Sequence, residues 1–380
     1  MRRVVVAVLL VVAGCSTAPD DEPAPAPSSA PSTTPGRTPS APVDPMPTPT
    51  STPTPEPPGP VTIAVAGDVH FEGTLRSRLD DPTTALAPVT RDLAAADVAI
   101  VNLETSLGRG GSPDPSKRYT FQAPPAALDA LAAAGVDVAA MANNHALDFG
   151  REPLPGAFRA IDAARTADPP LAVVGLGRDV DEAFAPAELE VDGTTVAVLS
   201  ATRADLDPTA DPTGDFAATP DRPGTADAVG PAGTRRLLRA VERADRDADV
   251  VVAYLHWGVQ GERCPTDDQR RLAFDLAAAG ADVVVGSHAH LLQGDGRLGP
   301  GYVAYGLGNY AWYTQSGATA STGVLTLDVR PAATRGGRAR VTRARWSPAL
   351  IGADGLPRPV RDRSAFDATR ADLQACAGLG

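Results

Sequence analysis

The stretch Asp282-Val283-Val284-Val285-Gly286-Ser287-His288-Ala289-His290 decides how this chain is expected to fold. Its valine run has the length and β-branched composition of a buried parallel strand. The run stops at a glycine, and His288 and His290 follow just past the strand end. Open α/β sheets bind their ligands at this carboxyl-terminal edge. The stretch therefore predicts an α/β fold whose functional site includes two histidines.

All five histidines of the chain follow apolar, strand-like runs. They are His70, His145, His256, His288 and His290. Comparable positions are held by Asp68, Asn102, Glu104 and Asn144. Predicted strands and helices alternate through most of residues 61–376, which favours one α/β domain with a largely parallel core and antiparallel additions. Because parallel strands end at a shared edge, we expect these polar side chains to meet there.

The expected site offers imidazole, carboxylate and carboxamide groups, and no thiolate. Mixed nitrogen and oxygen ligands suit divalent Mn, Fe or Zn better than a structural thiolate zinc site. The ligands outnumber those that one ion needs, so we expect two divalent metal ions about 3.5–4 Å apart, as in binuclear hydrolases. Such a pair activates a water toward a phosphoester, and a histidine that binds no metal can protonate the leaving group.

Ordered motifs along the chain carry a resemblance to a known family. They are Asp68-Val69-His70, Asn102-Leu103-Glu104, Asn143-Asn144-His145-Ala146-Leu147-Asp148, His256-Trp257-Gly258, Gly286-Ser287-His288-Ala289-His290 and Tyr305-Gly306-Leu307-Gly308-Asn309. The set resembles calcineurin-like metallophosphoesterases, and its spelling resembles the CapA branch, named for poly-γ-glutamate capsule biosynthesis. The match runs from about Val61 to about Asp328. It implies a four-layer α/β/β/α sandwich of the metallophosphoesterase type.

Carried over position by position, the resemblance implies a role for each residue. One metal would be held by Asp68, His70 and His290, and the other by Asn144, His256 and His288. Glu104 would stand where the superfamily usually has a bridging aspartate, with its extra methylene absorbed by the loop. His145 would be the general acid, and Asp148 would orient it. Many CapA-like sequences lack the histidine found here at position 70, so this chain resembles a better-equipped metal binder than its branch name suggests.

Several of these residues also admit a structural interpretation. Asn102 and Asn309 are candidates for substrate binding, but either could only brace a loop. Asp148 could be an ordinary helix N-cap. Trp257 is expected to be a packing residue rather than a substrate platform. Exposed basic residues are usually solvated surface, and this is the favoured interpretation of the Lys117-Arg118 pair.

The N-terminus predicts an export signal and a tether. Arg2-Arg3, a short apolar run and a small-residue stop form a lipoprotein signal peptide over residues 1–15, with Cys15 as the lipidated residue. An ordinary signal peptide with an incidental cysteine is the alternative. Residues 16–60 are rich in Pro, Ser and Thr and are expected to remain a disordered tether. The predicted location is therefore extracytoplasmic, with a lipid anchor in the cell membrane.

The remaining cysteines and the charge limit the partners. Outside the cytoplasm, Cys264 and Cys376 are expected to form a disulfide, two buried thiols being the alternative. The net charge of −12 argues against nucleic acid. An anionic polymer would need a local basic groove, for which the candidates are Lys117, Arg118, Arg203 and Arg263. The Pro- and Gly-rich segment 202–230 is a candidate lid.

Two functional hypotheses follow from these patterns. The first is a surface-anchored CapA-like protein of poly-γ-glutamate or related envelope-polymer biosynthesis, with a dinuclear phosphoesterase-type hydrolase site. It would act on a phosphoester or an anionic polymer, alongside the envelope-polymer synthesis machinery. The second is an accessory protein that handles or exports the polymer and uses the same fold as a non-catalytic scaffold.

Overall fold

The computed structural model describes residues 5–6, 58–87, 91–211, 213, 215–313, 315–334 and 337–379. Its strands are β1 (Val5–Val6), β2 (Val61–Val69), β3 (Val98–Leu103), β4 (Ser106–Leu107), β5 (Gln122–Ala123), β6 (Val138–Ala140), β7 (Ala172–Val174), β8 (Leu176–Gly177), β9 (Ala187–Val191), β10 (Thr194–Thr202), β11 (Gly224–Thr225), β12 (Val250–Trp257), β13 (Val283–His288), β14 (Asp295–Leu298), β15 (Gly301–Ala304), β16 (Asn309–Ala311), β17 (Ser321–Arg330), β18 (Arg340–Ile351) and β19 (Pro357–Pro359). Its α-helices are α1 (Arg91–Ala95), α2 (Ala126–Ala133), α3 (Leu154–Arg165), α4 (Val180–Ala183), α5 (Gly230–Asp247), α6 (Asp267–Ala279) and α7 (Ser364–Ala377). Short 3-10 helices cover Gly73–Asp80, Ala204–Leu206 and Gly317–Ala320.

Two large sheets organise the described residues. The first has the strand order β1-β9-β10-β12-β13-β15-β14, and the second has the order β19-β18-β17-β2-β3-β6-β7, with β16 also paired to β2. The central pairs are parallel in both sheets, such as β12 with β13 and β2 with β3. Antiparallel strands flank them, such as β9 beside β10 and β17 beside β2. The predicted parallel core with antiparallel additions is therefore confirmed.

The hydrophobic residues separate into three layers of packing. Alternate side chains of β2 go to opposite faces, so that Ile63 and Val65 pack against the other sheet while Ala64 and Ala66 pack toward helices. The side chains of β12 alternate in the same way. Val252 packs in the layer between the two sheets with Ile63 and Val65, and Val251 packs toward α5 and α6. Strands buried on both faces need apolar residues at every position, which explains their continuous valine-rich runs. Helix, sheet, sheet and helix thus form the predicted four-layer α/β/β/α sandwich.

Local signals set several boundaries. The turn Asp192-Gly193 has positive φ at both residues, as a two-residue hairpin between β9 and β10 requires. Helix α6 begins with a capping box, in which Thr266 and Gln269 exchange side-chain and backbone hydrogen bonds. The sequence predicts a helix over residues 84–96, but its described part is α-helical only at Arg91–Ala95, so the predicted extent is wrong. Pro88 lies within the predicted span and cannot donate a helical hydrogen bond.

From residue 58 onward, the described residues belong to one compact unit. Apart from Val5 and Val6, which pair with β9, the predicted signal peptide, Cys15 and the tether up to residue 57 lie outside the described residues. No helix within the described part of the chain is long and apolar enough to cross a membrane. Segment 202–230, the candidate lid, contains the short strand β11 and a 3-10 turn at Ala204–Leu206.

Candidate metal centre

Strand register brings the predicted polar residues to one edge of the sandwich. Asp68 near the end of β2 lies beside Asn102 of β3 on one side and Asn309 of β16 on the other. In the opposite sheet, His256 of β12 lies beside Ser287 of β13. All of these except Asn309, which begins β16, are near the carboxyl ends of parallel strands, as the sequence pattern predicts. The two sheets therefore present their polar strand ends to each other.

One group of potential ligands consists of Asp68, Glu104 and His290. One ligand atom from each lies within 4.8 Å of the other two, a grouping that could hold a metal ion. Nδ1 of His290 lies 3.3 Å from Asp68 Oδ2 and 2.9 Å from Asn309 Oδ1. Asn309 thus contacts a predicted ligand, and it also lines the cavity described below.

A second group consists of Asn144, His256 and His288. Nε2 of His256 lies 2.7 Å from Asn144 Oδ1 and 3.1 Å from His288 Nδ1. The same nitrogen lies 3.6 Å from Glu104 Oε1. Glu104 is therefore next to both groups, at the position that a bridging ligand would need.

The two oxygens of Glu104 are the clearest sign that the site fits a cation. The residue is fully buried, and neither carboxylate oxygen has a hydrogen-bond partner among the described residues. Burial and the nearby charge of Asp68 raise the pKa of Glu104 well above its ordinary value. A buried carboxylate without a partner is costly, and a divalent ion would supply the missing charge. The donor set of carboxylate, carboxamide and imidazole suits such an ion.

Burial also favours the neutral form of His256 and His288, as metal ligation requires. It lowers the pKa of His256 well below its ordinary value, with the neighbouring His288 adding to the effect. Burial lowers the pKa of His288 as well, although Asp207 opposes the shift. For Asp68, burial alone would raise the pKa, but the hydrogen bond and charge of His290 lower it overall.

Asn102 braces the two groups. Its Nδ2 donates to Asp68 Oδ1 at 2.8 Å and lies 3.2 Å from His256 Nδ1. Its Oδ1 accepts a hydrogen bond from Asn143 at 3.1 Å. The side chain is fully buried and does not line the cavity, so its placement favours bracing over substrate contact.

His145 belongs to a buried chain of charges. Its Nδ1 lies 2.6 Å from Asp148 Oδ2, and its Nε2 lies 3.7 Å from Glu104 Oε1. Lys117 donates to the other oxygen of Asp148 and to the backbone carbonyl of Asn144. Burial lowers the pKa of His145 to about 4, although Asp148 opposes the shift. The ring is thus fixed by Asp148, and its free nitrogen faces the metal groups.

Two of the structural interpretations are wrong, those of Asp148 as a helix N-cap and of Lys117 as solvated surface. Helix α3 begins at Leu154, so Asp148 is not its N-cap. Lys117, the only lysine of the chain, is not solvated surface, because its side chain is fully buried against Asp148. Arg118 does follow the surface expectation, with 66% of its side chain exposed while it pairs with Asp211.

His70 is not a member of the group formed by Asp68, Glu104 and His290. Its Nδ1 accepts a hydrogen bond from the backbone of Glu72 at 2.9 Å, and its Nε2 lies 3.4 Å from the backbone nitrogen of Tyr313. Its ring stacks on Phe121 and meets the edge of Trp312. A neutral imidazole has one acceptor nitrogen and one donor. The nitrogen that Glu72 engages therefore has no free lone pair for a metal.

The turn that carries His288 and His290 differs from the expectation. Both histidines have positive φ, 94° and 56°, a conformation that is strained for residues other than glycine. The strand continues through Gly286 as far as His288. A Cβ at Gly286 would lie 2.0 Å from Trp257 Nε1. Gly286 is needed because the buried Trp257 packs against it and donates to the Tyr305 carbonyl at 2.9 Å, which agrees with the packing role expected of the tryptophan.

Asp207 is a site residue that sequence reasoning missed. Its Oδ2 lies 3.0 Å from His288 Nε2, and it also accepts a hydrogen bond from the backbone of Gln260 at 2.8 Å. Hydrogen bonds from His288, Gln260 and Thr209 outweigh the effect of burial and lower the pKa of Asp207. A carboxylate on the far nitrogen of a metal-binding histidine fixes its orientation. The sequence feature that could have identified Asp207 is its place as a polar residue shortly after the strand β10, within segment 202–230.

A cavity of about 270 Å³ opens beside the two groups. Its lining includes Asn144, His145 and His290, together with the aromatic residues Tyr119, Phe121, Trp312 and Tyr313. Among the four candidate basic residues, only Arg118 lines it. Arg203 is instead held by Asp268 at 2.6 and 2.9 Å. The lining of this cavity is therefore mainly polar and aromatic, and Arg118 is its one contribution from the candidate basic residues.

The cysteines Cys264 and Cys376 are joined by a disulfide, with their Cα atoms 5.6 Å apart. The bridge connects the loop before α6 to the last turn of α7. It lies away from the cavity lining. Cys264 and Cys376 therefore tie the C-terminal helix to the body of the domain.

Comparison with known proteins places these motifs in a family. Residues 62–313 match the family described as "Bacterial capsule synthesis protein PGA_cap". The matched segment begins in β2 and ends just after β16, so it includes every predicted ligand named above.

Curated relatives match over shorter regions. The "PGA biosynthesis protein CapA" of Bacillus subtilis (strain 168) is 32% identical over 173 residues, which are 45% of this chain and 41% of that protein. The "Capsule biosynthesis protein CapA" of Bacillus anthracis is 31% identical over 49% of this chain and 42% of that protein. The chain thus matches less than half the length of these relatives. The crystal structure of a novel phosphatase from Mycoplasma pneumoniae aligns over 77% of this chain and 94% of the phosphatase chain. The sequence identity is 14% and the TM-score is 0.44, a similarity too distant to support an argument.

Proposed function

Since this chain belongs to the PGA_cap family of bacterial capsule synthesis proteins, we propose that it acts in envelope-polymer biosynthesis as a metal-dependent phosphoesterase-type hydrolase. The observation that carries the hydrolase proposal is the position of Glu104. Its two unpartnered oxygens lie between a group containing Asp68 and His290 and a group containing His256. Such a position suits a carboxylate that bridges two cations.

The ligands would divide between two divalent ions of Mn, Fe or Zn. Asp68 and His290 would hold one ion, and Asn144, His256 and His288 the other, with Glu104 shared. A bound pair supplies positive charge that activates water and binds phosphoester oxygens. Asn102 contacts the side chains of both Asp68 and His256 and holds them in position, and Asp207 fixes the ring of His288.

His145 would handle the proton of the leaving group. Only its Nε2 is free for that purpose, because Nδ1 is held by Asp148. With a pKa of about 4 the ring is neutral near pH 7, and the negative charge of a bound phosphate would favour its protonation. Lys117 compensates the buried charge of Asp148, so this carboxylate can orient the ring without an uncompensated charge.

The envelope setting completes the proposal. A lipid at Cys15 would hold the domain at the outer face of the cell membrane, and residues 16–60 would act as a tether. The substrate would be a phosphoester or an anionic polymer, handled together with the polymer synthesis machinery. The names of the curated relatives, which refer to PGA and capsule biosynthesis, support this setting.

The test combines metal content with turnover in the purified full-length protein. We expect about two equivalents of Mn, Fe or Zn by mass spectrometry, and hydrolysis of p-nitrophenyl phosphate or its diester. His256→Ala and Glu104→Gln should lose metal and activity together. Arg263→Ala, an exposed loop change, serves as the control and should retain both. If the wild-type protein binds no divalent ion, the hydrolase proposal is wrong.

The non-catalytic scaffold remains a second candidate because of His70. The backbone amides of Glu72 and Tyr313 face both of its ring nitrogens, so the Asp68 side of the centre lacks one predicted ligand. An accessory protein that handles the polymer does not require a complete metal pair. Metal binding without turnover of any phosphoester would favour this candidate.

A further inference from the structure

Positive charge collects at a part of the molecule away from the cavity. Two adjoining concavities of about 380 Å³ each share Arg297 and Thr342 in their linings. We call their arginines the arginine edge, and it consists of Arg297, Arg330, Arg338, Arg340, Arg343 and Arg370. No Asp or Glu lines either concavity within the described residues. This is a marked local reversal in a chain of net charge −12.

The hairpin of β17 and β18 holds two of these arginines face to face. Arg330 is the direct cross-strand partner of Arg340. Cross-strand partners project on the same side of a sheet, and like charges placed directly opposite each other are destabilising. Among the described residues, Arg330, Arg340 and Arg343 have no ion-pair partner. Arg330 and Arg340 thus keep repelling charges together, whereas Arg343 lies opposite Asp328, whose carboxylate is bound by Arg345 at 3.0 Å.

The other arginines of the edge are anchored. Arg370 binds Asp295 through two hydrogen bonds at 2.7 and 2.8 Å, and Arg297 donates to the Val341 carbonyl at 3.0 Å. Arg338 donates to the Ala281 carbonyl at 2.7 Å. The anchored arginines therefore form a fixed border around the three without ion-pair partners.

The arginine edge lies at the opposite end of the strands from the metal centre. Val329, next to Arg330, pairs with Val61 at the start of β2, whereas Asp68 lies near the end of that strand. Asp68 is seven positions along the strand from Val61, or about 23 Å at 3.3 Å per residue. The edge is therefore too distant to take part in the proposed hydrolysis.

We propose that the arginine edge binds the carboxylates of a linear anionic polymer. The inference rests on the proposed envelope-polymer function for the identity of its ligand. Guanidinium groups bind carboxylates through two parallel hydrogen bonds, and each carboxylate would relieve the repulsion between arginines. Two adjoining concavities form an elongated path, which suits a chain with regularly repeated charges better than a single small anion.

The test compares two charge-matched variants of the full-length protein, with fluorescent poly-γ-glutamate as the probe. The first variant combines Arg330→Gln, Arg340→Gln and Arg343→Gln. The control combines Arg239→Gln, Arg243→Gln and Arg271→Gln, which removes the same charge from exposed positions on α5 and α6. We expect salt-sensitive binding by the wild type, at least a tenfold loss in the first variant, and less than a twofold change in the control.

The outcomes separate this site from the hydrolase. Equal losses in both variants would mean that net charge alone drives binding, and would overturn the proposal. Binding of phosphatidylglycerol vesicles but not of the polymer would overturn it as well. Metal content and phosphoester turnover should be unchanged in the first variant. If the wild-type protein binds the polymer but no metal, only the hydrolase proposal is wrong. If it binds metal but not the polymer, only the proposal for the arginine edge is wrong.

Discussion

The carboxylate of Asp207 lies 3.0 Å from Nε2 of His288, on the opposite side of the ring from the His256 contact. This contact connects segment 202–230 to the proposed metal centre. Asp207 is itself held by the backbone of Gln260 and by Thr209, so its position is fixed before any metal arrives. Segment 202–230, the candidate lid, thus supplies a carboxylate that orients the ring of a proposed metal ligand.

Replacing Asp207 should weaken metal binding. Asp207→Asn removes the charge that orients His288, and outer-shell changes of this kind typically lower metal affinity about 10–100-fold. Competition with a fluorescent chelator measures the affinity. Asp205→Asn, in the same segment but bonded to Thr213, should change affinity little. Equal affinity in Asp207→Asn and wild type would show that the contact does not support the metal.

Removing the charge of Lys117 should destabilise the fold. Lys117→Met leaves the buried carboxylate of Asp148 without its cation, and breaking a buried pair from one side costs about 3–5 kcal/mol. Urea unfolding at pH 7 measures the loss. Adding Asp148→Asn to Lys117→Met should recover part of it, because both charges are then gone. Arg118→Met is the exposed comparison and should have a small effect. A Lys117→Met protein as stable as wild type would contradict the buried pair.

Metal removal should lower thermal stability. The proposed ligands come from both sheets, so bound ions would connect them, and a ligand at 1,000 times its Kd adds about 4 kcal/mol of stability. For a domain of this size, EDTA should lower Tm by roughly 5 °C or more. Calorimetry with and without EDTA provides the measurement. The Glu104→Gln variant, which should bind little metal, is expected to show a much smaller shift. An unchanged wild-type Tm would argue against tightly bound ions.

Loss of the disulfide should also destabilise the domain. Cys264 and Cys376 are 112 residues apart, and closing a loop of that length in the unfolded chain stabilises the folded state by about 4–5 kcal/mol in the chain-entropy model. Paired Cys264→Ser and Cys376→Ser replacements should therefore unfold at lower urea concentration. Cys15→Ser, by contrast, leaves the bridge intact and should not shift the transition. Coincident unfolding curves for all three proteins would contradict the prediction.

The sequence predicted the sandwich and the strand-end motifs because both depend on short-range patterns. Valine runs define buried strands, and a polar residue after such a run is brought to the shared edge by topology alone. His256 and His288 met in this way. Asn102 was recognised as a strand-end residue, but only its contacts with Asp68 and His256 distinguish a brace from a substrate ligand.

What the sequence could not supply depends on contacts between distant segments. Lys117 resembled a solvated lysine because nothing near it in the chain indicates that Asp148 and Phe216 cover it. Asp207 is one of several aspartates in its segment, and only the folded path places it against His288. In the sequence, the glycine of the opening stretch only marks the end of the valine run, whereas the structure explains it by the side chain of Trp257, from the neighbouring strand.

The origin of the ligands in two sheets has a consequence for the order of biosynthesis. Asp68, Glu104 and Asn144 come from the first half of the domain, whereas His256, His288 and His290 come from the second half. A partly synthesised or partly exported chain would carry only one half of the centre. The proposed hydrolase would therefore stay inactive in transit and become competent only after the chain has been completed, folded and supplied with metal.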